Sequence, residues 1–199
     1  MRRARWAPLV VLAALALAPR AHADEPARVG PPARGYYANA LATVAVGQSL
    51  RFNNPYRLST PLGSTARSVS LAAPYLDVGG ALLLGAPSGL QHGLSLRFTT
   101  ALSGVPQDVF TPSYIALYRA GPAVMPYARA GLPFVLEPNP NMGGELAAGV
   151  VYLFTGGLGL TAELGASAFY GAATREVSAT FIPLVFGQLG VAGNLEVLP

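Results

Sequence analysis

Cysteine is absent from all 199 residues. That absence removes a lipoprotein anchor, a disulfide framework, thiol nucleophiles and thiolate metal sites. Lysine is absent too, so all 13 basic residues are arginines. Histidine occurs only at His22 and His92. His22 falls in a segment expected to be removed, which excludes sites built on several histidines. Charged residues make up 11% of the chain against 52% hydrophobic. Long apolar runs are missing as well: after residue 23 nothing approaches the ~20 residues that a membrane-crossing helix needs.

The amino-terminal segment reads as an export signal. Met1–Arg5 is a basic start, Leu9–Ala18 an apolar core, and Ala21-His22-Ala23 a small-x-small cleavage site. Residues 1–23 are therefore read as a signal peptide, with the mature chain beginning at Asp24. Arg2, Arg3, Arg5 and Arg20 leave with it, so nine arginines remain against nine acids. The mature chain is neutral, with no basic stripe to neutralise phosphates, and nucleic acid is not an expected partner. Residues 24–37, opening DEPARVGPPAR, read as a flexible lead-in.

What the chain does contain is alternation. Leu158-Gly-Leu-Thr-Ala-Glu-Leu-Gly-Ala-Ser-Ala-Phe-Tyr170 places apolar residues against small or polar ones. A membrane strand needs only about 9–11 residues with every second one facing lipid, and a closed barrel leaves no backbone group unpaired. The 23 glycines and 18 prolines oppose helices, whereas glycine relieves crowding on the inner wall of a barrel. The pattern predicts strands over 38–51, 71–84, 93–103, 113–119, 123–135, 143–154, 158–170 and 181–197. Their connections alternate between longer polar segments, led by 52–70, and tight turns such as Ala120-Gly-Pro122 and Thr155-Gly-Gly157. The expected fold is all-β: an eight-stranded antiparallel up-and-down transmembrane barrel over 38–199, with both ends of the chain on the side of the short turns.

Aromatic residues give the same register. Phe52, Tyr56, Phe110, Tyr114, Phe134, Phe169, Tyr170 and Phe181 fall near the expected outer strand ends. Tyr36, Tyr37, Tyr118, Tyr152 and Phe154 fall near the inner ends. Two girdles result, as where rings sit at headgroup level. Tyr75, Phe98, Tyr127 and Phe186 stand apart in mid-strand. On these patterns the chain resembles the small eight-stranded outer-membrane barrels, the OmpX/OmpA/OmpW-like group. The resemblance implies residence in the outer membrane of a Gram-negative bacterium, contact with outer-membrane lipid, and insertion by the barrel-assembly machinery. One departure stands out: such barrels usually end on Phe or another aromatic, whereas this chain ends Asn194-Leu-Glu-Val-Leu-Pro199.

If leucines and valines face lipid, strand parity turns Asp77, Arg97, Arg129, Glu145, Glu163 and Glu196 inward, with Arg51 joining them. An eight-stranded barrel is just wide enough to be filled by side chains or to hold one small ligand. These charges are read as an internal ion-pair network, since buried charges need partners. The alternative is a narrow polar conduit gated by rearranging arginine–carboxylate pairs.

Catalytic signals are sparse, and the chain reads as a non-enzyme with no cofactor. His92 lies three residues before Ser95, which sets the two on opposite faces of an extended strand, and the expected topology puts His92 in a turn. Gly79-Gly80, Gly143-Gly144 and Gly156-Gly157 lack the spacing of phosphate loops and read as turn or bend glycines. Glu137-Pro-Asn-Pro-Asn141 offers a single carboxylate, a poor calcium site. The 52–70 connection, carrying Asn53, Asn54, Tyr56, Arg57 and Arg67, is the candidate surface for an extracellular partner. The expected role is structural or surface-interacting. The alternatives are a channel for small or apolar solutes, like the OmpW-type barrels, and a periplasmic lipocalin-like binder.

Overall fold

The computed structural model describes residues 37–52, 69–137, 140–155, 157–171 and 180–198. The expected signal peptide and nearly all of the lead-in lie outside them. Ten strands follow in order: β1 (Tyr37–Phe52), β2 (Val69–Leu71), β3 (Tyr75–Gly85), β4 (Gly89–Ala101), β5 (Asp108–Arg119), β6 (Val124–Gly131), β7 (Phe134–Glu137), β8 (Asn141–Thr155), β9 (Leu158–Gly171) and β10 (Thr180–Leu198). Each wall pairs antiparallel with its neighbours, and β10 returns to pair with β1 from Ala38↔Leu198 to Arg51↔Leu184. The sheet is closed by this pairing, and only the short β2, paired to β1 alone, keeps a free side among the described strands.

Ten strands make eight walls because two walls are broken at proline. β2 and β3 both pair with β1, and β6 and β7 both pair with β5 and β8. Pro74 and Pro133 carry no N–H for the ladder, and each sits in its break. Pro112 lies opposite the second break, where its carbonyl accepts from Leu132 N at 3.0 Å. A proline is thus accommodated inside β5.

Two sequence boundaries are corrected. β5 starts at Asp108 rather than 113, because Thr111-Pro112-Ser113 belongs to the strand. β4 starts at Gly89 rather than 93. Gly89 takes a φ of 118°, which only glycine adopts readily, and the reversal then needs only Ala86-Pro87-Ser88. His92 is therefore a strand residue, not a turn residue. Gly79-Gly80 and Gly143-Gly144 likewise lie within β3 and β8.

Alternation sorts the side chains. Leu82, Leu94, Leu146, Leu160, Leu164 and Leu189 face outward and are exposed. Leu83, Leu117, Met125 and Val151 face inward, fully buried, and pack with Leu41, Ala81, Ile115 and Ala192. This apolar plug fills the lumen at the end of the short connections, 86–88, 120–123 and 156–157.

Three mid-strand aromatics have an interior role. Tyr75, Tyr127 and Phe186 each stand opposite a glycine on a neighbouring strand: Gly47, Gly149 and Gly165. Their rings lie over those glycines, so a methyl group there would come within 2.4 Å of Tyr75, 2.5 Å of Tyr127 or 2.4 Å of Phe186. Glycine makes the recess and the ring fills it. The girdle assignment also shifts. Tyr37 and Phe169 lie on the inner face, and Tyr114 is mid-wall because β5 begins early. Phe98 faces outward opposite Phe110, nearer the end of the long connections.

Candidate functional site: the charged lumen

Immediately above the plug, six walls contribute to one buried polar cluster. Asp77 comes from β3, Arg97 from β4, Tyr127 and Arg129 from β6, Glu145 from β8, Glu163 from β9 and Gln188 from β10. The period of two puts each on the inner face of its strand. Arg97 donates from Nε to Asp77 Oδ1 at 3.0 Å, and its Nη2 lies 2.7 Å from Asp77 Oδ2. The same guanidinium donates from Nη1 to Glu163 Oε1 at 2.9 Å and from Nη2 to Gln188 Oε1 at 2.9 Å.

Glu163 is the hub. Arg129 grips it through Nη2 at 2.7 Å and Nε at 3.1 Å, Tyr127 donates to it at 2.9 Å, and Gln188 Nε2 donates at 3.1 Å. Arg129 Nη1 also reaches Glu145 Oε1 at 2.5 Å and Ser113 Oγ at 3.4 Å. Bidentate charge-assisted bonds of this kind are the strong ones. Removing one member leaves an uncompensated buried charge, which is costly.

Of the charged residues that parity turns inward, Asp77, Arg97, Arg129, Glu145 and Glu163 stand in this cluster. Glu196 and Arg51 do not. Glu196 lies exposed at the mouth beside the plug, 3.6 Å from Arg119 Nη1. Arg119 also donates to Tyr37 Oη at 3.2 Å and lies over its ring. Arg51 is half-buried near the opposite end. Parity applied only to charged residues overlooks Tyr127, Gln188, Ser113 and Thr99, although the same alternation places them inward. The surface-loop candidates Asn53, Asn54, Tyr56, Arg57 and Arg67 lie outside the described residues.

His92 and Ser95 occupy opposite faces of β4. His92 is exposed on the outside, 6.2 Å from the Tyr114 ring centroid, and Ser95 is buried in the lumen. The geometry does not assemble them into a nucleophile and base. Among the described residues no group of His, Asp and Glu is arranged to hold a metal ion.

A barrel of this construction has known counterparts. Neisserial surface protein A matches with a TM-score of 0.51 at 15% identity, over 81% of this chain and 99% of that one. The fold is that of the small eight-stranded outer-membrane barrels. The amino-terminal barrel domain of Pseudomonas aeruginosa OprF matches with a TM-score of 0.47 at 17% identity, over 78% of this chain and 97% of that one. Ail, the attachment invasion locus protein of Yersinia pestis, matches with a TM-score of 0.46 at 11% identity, over 79% and 98%. No family model and no curated protein matches the chain.

Proposed function

We propose that this chain is a non-enzymatic barrel of the Gram-negative outer membrane with a sealed lumen. It acts as a structural wall element or presents its long connections to an extracellular partner. The observation that carries this reading is the double closure of the lumen. The plug of Leu83, Leu117, Met125 and Val151 lies in series with the Arg97–Glu163–Arg129 cluster. A solute crossing from mouth to mouth would have to displace both. This weighs against the conduit reading.

The exterior supports the membrane location. Exposed Val46, Leu82, Leu94, Tyr114, Val124, Leu146, Leu164 and Leu189 stand on successive walls around the outside. So broad an apolar surface is foreign to a soluble monomer and suits lipid. A periplasmic binder would need the reverse polarity. Contact with outer-membrane lipid and insertion by the barrel-assembly machinery belong to this reading, as does partner recognition through 52–70.

Cell fractionation with unheated and boiled electrophoresis tests the location. A band in the outer-membrane pool that migrates differently before boiling is the expected result; a soluble protein without a heat shift overturns it. Planar-bilayer recording tests the seal, and a steady open conductance would restore the channel reading.

A further inference from the structure

Among the described residues, the outer part of the lumen, on the side away from the plug, is not filled. A cavity of about 100 Å³ lies there, walled by Tyr75, Phe169, Phe186 and Leu184, with Arg97 and Glu145 also lining it. Apolar walls beside a charged floor suit an amphiphile small enough to enter.

The charge balance of the cluster decides its sign. Every guanidinium nitrogen of Arg97 and Arg129 already contacts a carboxylate of the cluster, which leaves one N–H on Arg97 Nη1 and one on Arg129 Nη2 outside the described bonds. The acids are in excess: Asp77, Glu145 and Glu163 face only those two arginines. Glu145 is the least enclosed of the three, and its described bonds use Oε1 alone.

We propose that this vestibule binds a small organic monocation, an alkylammonium with a short apolar body, with its charge on Glu145 and its chain against Tyr75, Phe169 and Phe186. A cavity of about 150 Å³ accepts benzene, so this one takes roughly four or five heavy atoms. The plug blocks entry from the other mouth, so the ligand arrives from the side of the long connections. The inference rests on the lumen alone, and a protein that failed the membrane-location test could still be titrated.

The test uses detergent-purified protein and n-butylammonium chloride, followed by amide chemical shifts. Saturable shifts with a millimolar Kd are expected on β4, β8 and β9. n-Butanol should bind at least tenfold more weakly and butyrate should not bind. Glu145→Gln should weaken n-butylammonium binding at least tenfold while the protein keeps its heat shift. Should that variant fail to fold, Val109→Phe fills the cavity while keeping every ion-pair residue in place and should abolish binding. Shifts that do not saturate, equal binding of n-butanol and n-butylammonium, an unaffected Glu145→Gln variant, or undiminished binding to Val109→Phe would each overturn the proposal.

Discussion

Arg97 holds Asp77 on a diagonal. In the β3–β4 register Asp77 stands opposite Thr99, and Arg97 opposite Gly79. The guanidinium therefore reaches one pair along to make its two contacts of 3.0 and 2.7 Å, while Thr99 Oγ1 donates to Asp77 Oδ2 at 2.7 Å. A glycine opposite Arg97 leaves room for its stem, and a hydroxyl opposite Asp77 occupies an acceptor that the arginine does not saturate.

Arg97→Met removes the fork and strands Asp77 in the lumen. The variant should lose about 3–5 kcal/mol, the cost of breaking a buried pair by deleting one partner. Urea unfolding in detergent micelles reads the loss. Arg97→Lys should fall between, because an ammonium lacks the planar fork.

Glu163 and Arg129 should prove energetically coupled. Glu163→Gln, Arg129→Gln and the double variant form a cycle whose interaction energy should fall at about 0.5–3 kcal/mol, as for residues sharing one network. Additive losses would mean that Tyr127, Gln188 and Arg97 hold Glu163 without help.

The glycine recesses can be probed by filling one. Gly165→Ala drives a methyl into Phe186 and should cost about 1–3 kcal/mol, the usual penalty of overpacking. Adding Phe186→Leu should restore only part of that loss, because the methyl also comes within 2.8 Å of the Leu146 carbonyl oxygen. A neutral Gly165→Ala would show that the ring moves aside freely.

Leu94 and Val105 separate lipid from water. Both are heavily exposed, at 71% and 68%, but Leu94 is in the β4 wall and Val105 in the 102–107 connection. Leu94→Arg should cost about 2–4 kcal/mol when folding is measured into lipid vesicles, as for arginine near mid-depth. Val105→Arg should be nearly silent. Equal tolerance of the two would mean that water covers both.

Much of the wall was legible in the sequence because lipid outside and a crowded lumen inside impose a strict period of two. That period exposed the inward parity of Asp77, Arg97, Arg129, Glu145 and Glu163. It misled at Thr111-Pro112-Ser113, where proline reads as a turn unless the opposite wall is known to be broken. Tyr75, Tyr127 and Phe186 showed themselves as exceptions to the girdles, but their glycines lie on other strands at separations that only the register reveals. The reach from Arg97 on β4 to Glu163 on β9 belongs to the closed cylinder, and no local pattern encodes it.

The seam between β1 and β10 has a consequence for biogenesis. It joins Ala38 to Leu198, so the ring has no closed form until its last strand arrives. An incomplete ring would expose two raw strand edges, ready to pair with any other chain. Closure therefore depends on two strands far apart in the chain, β1 and β10, and neither has its second partner in the wall until the other is present.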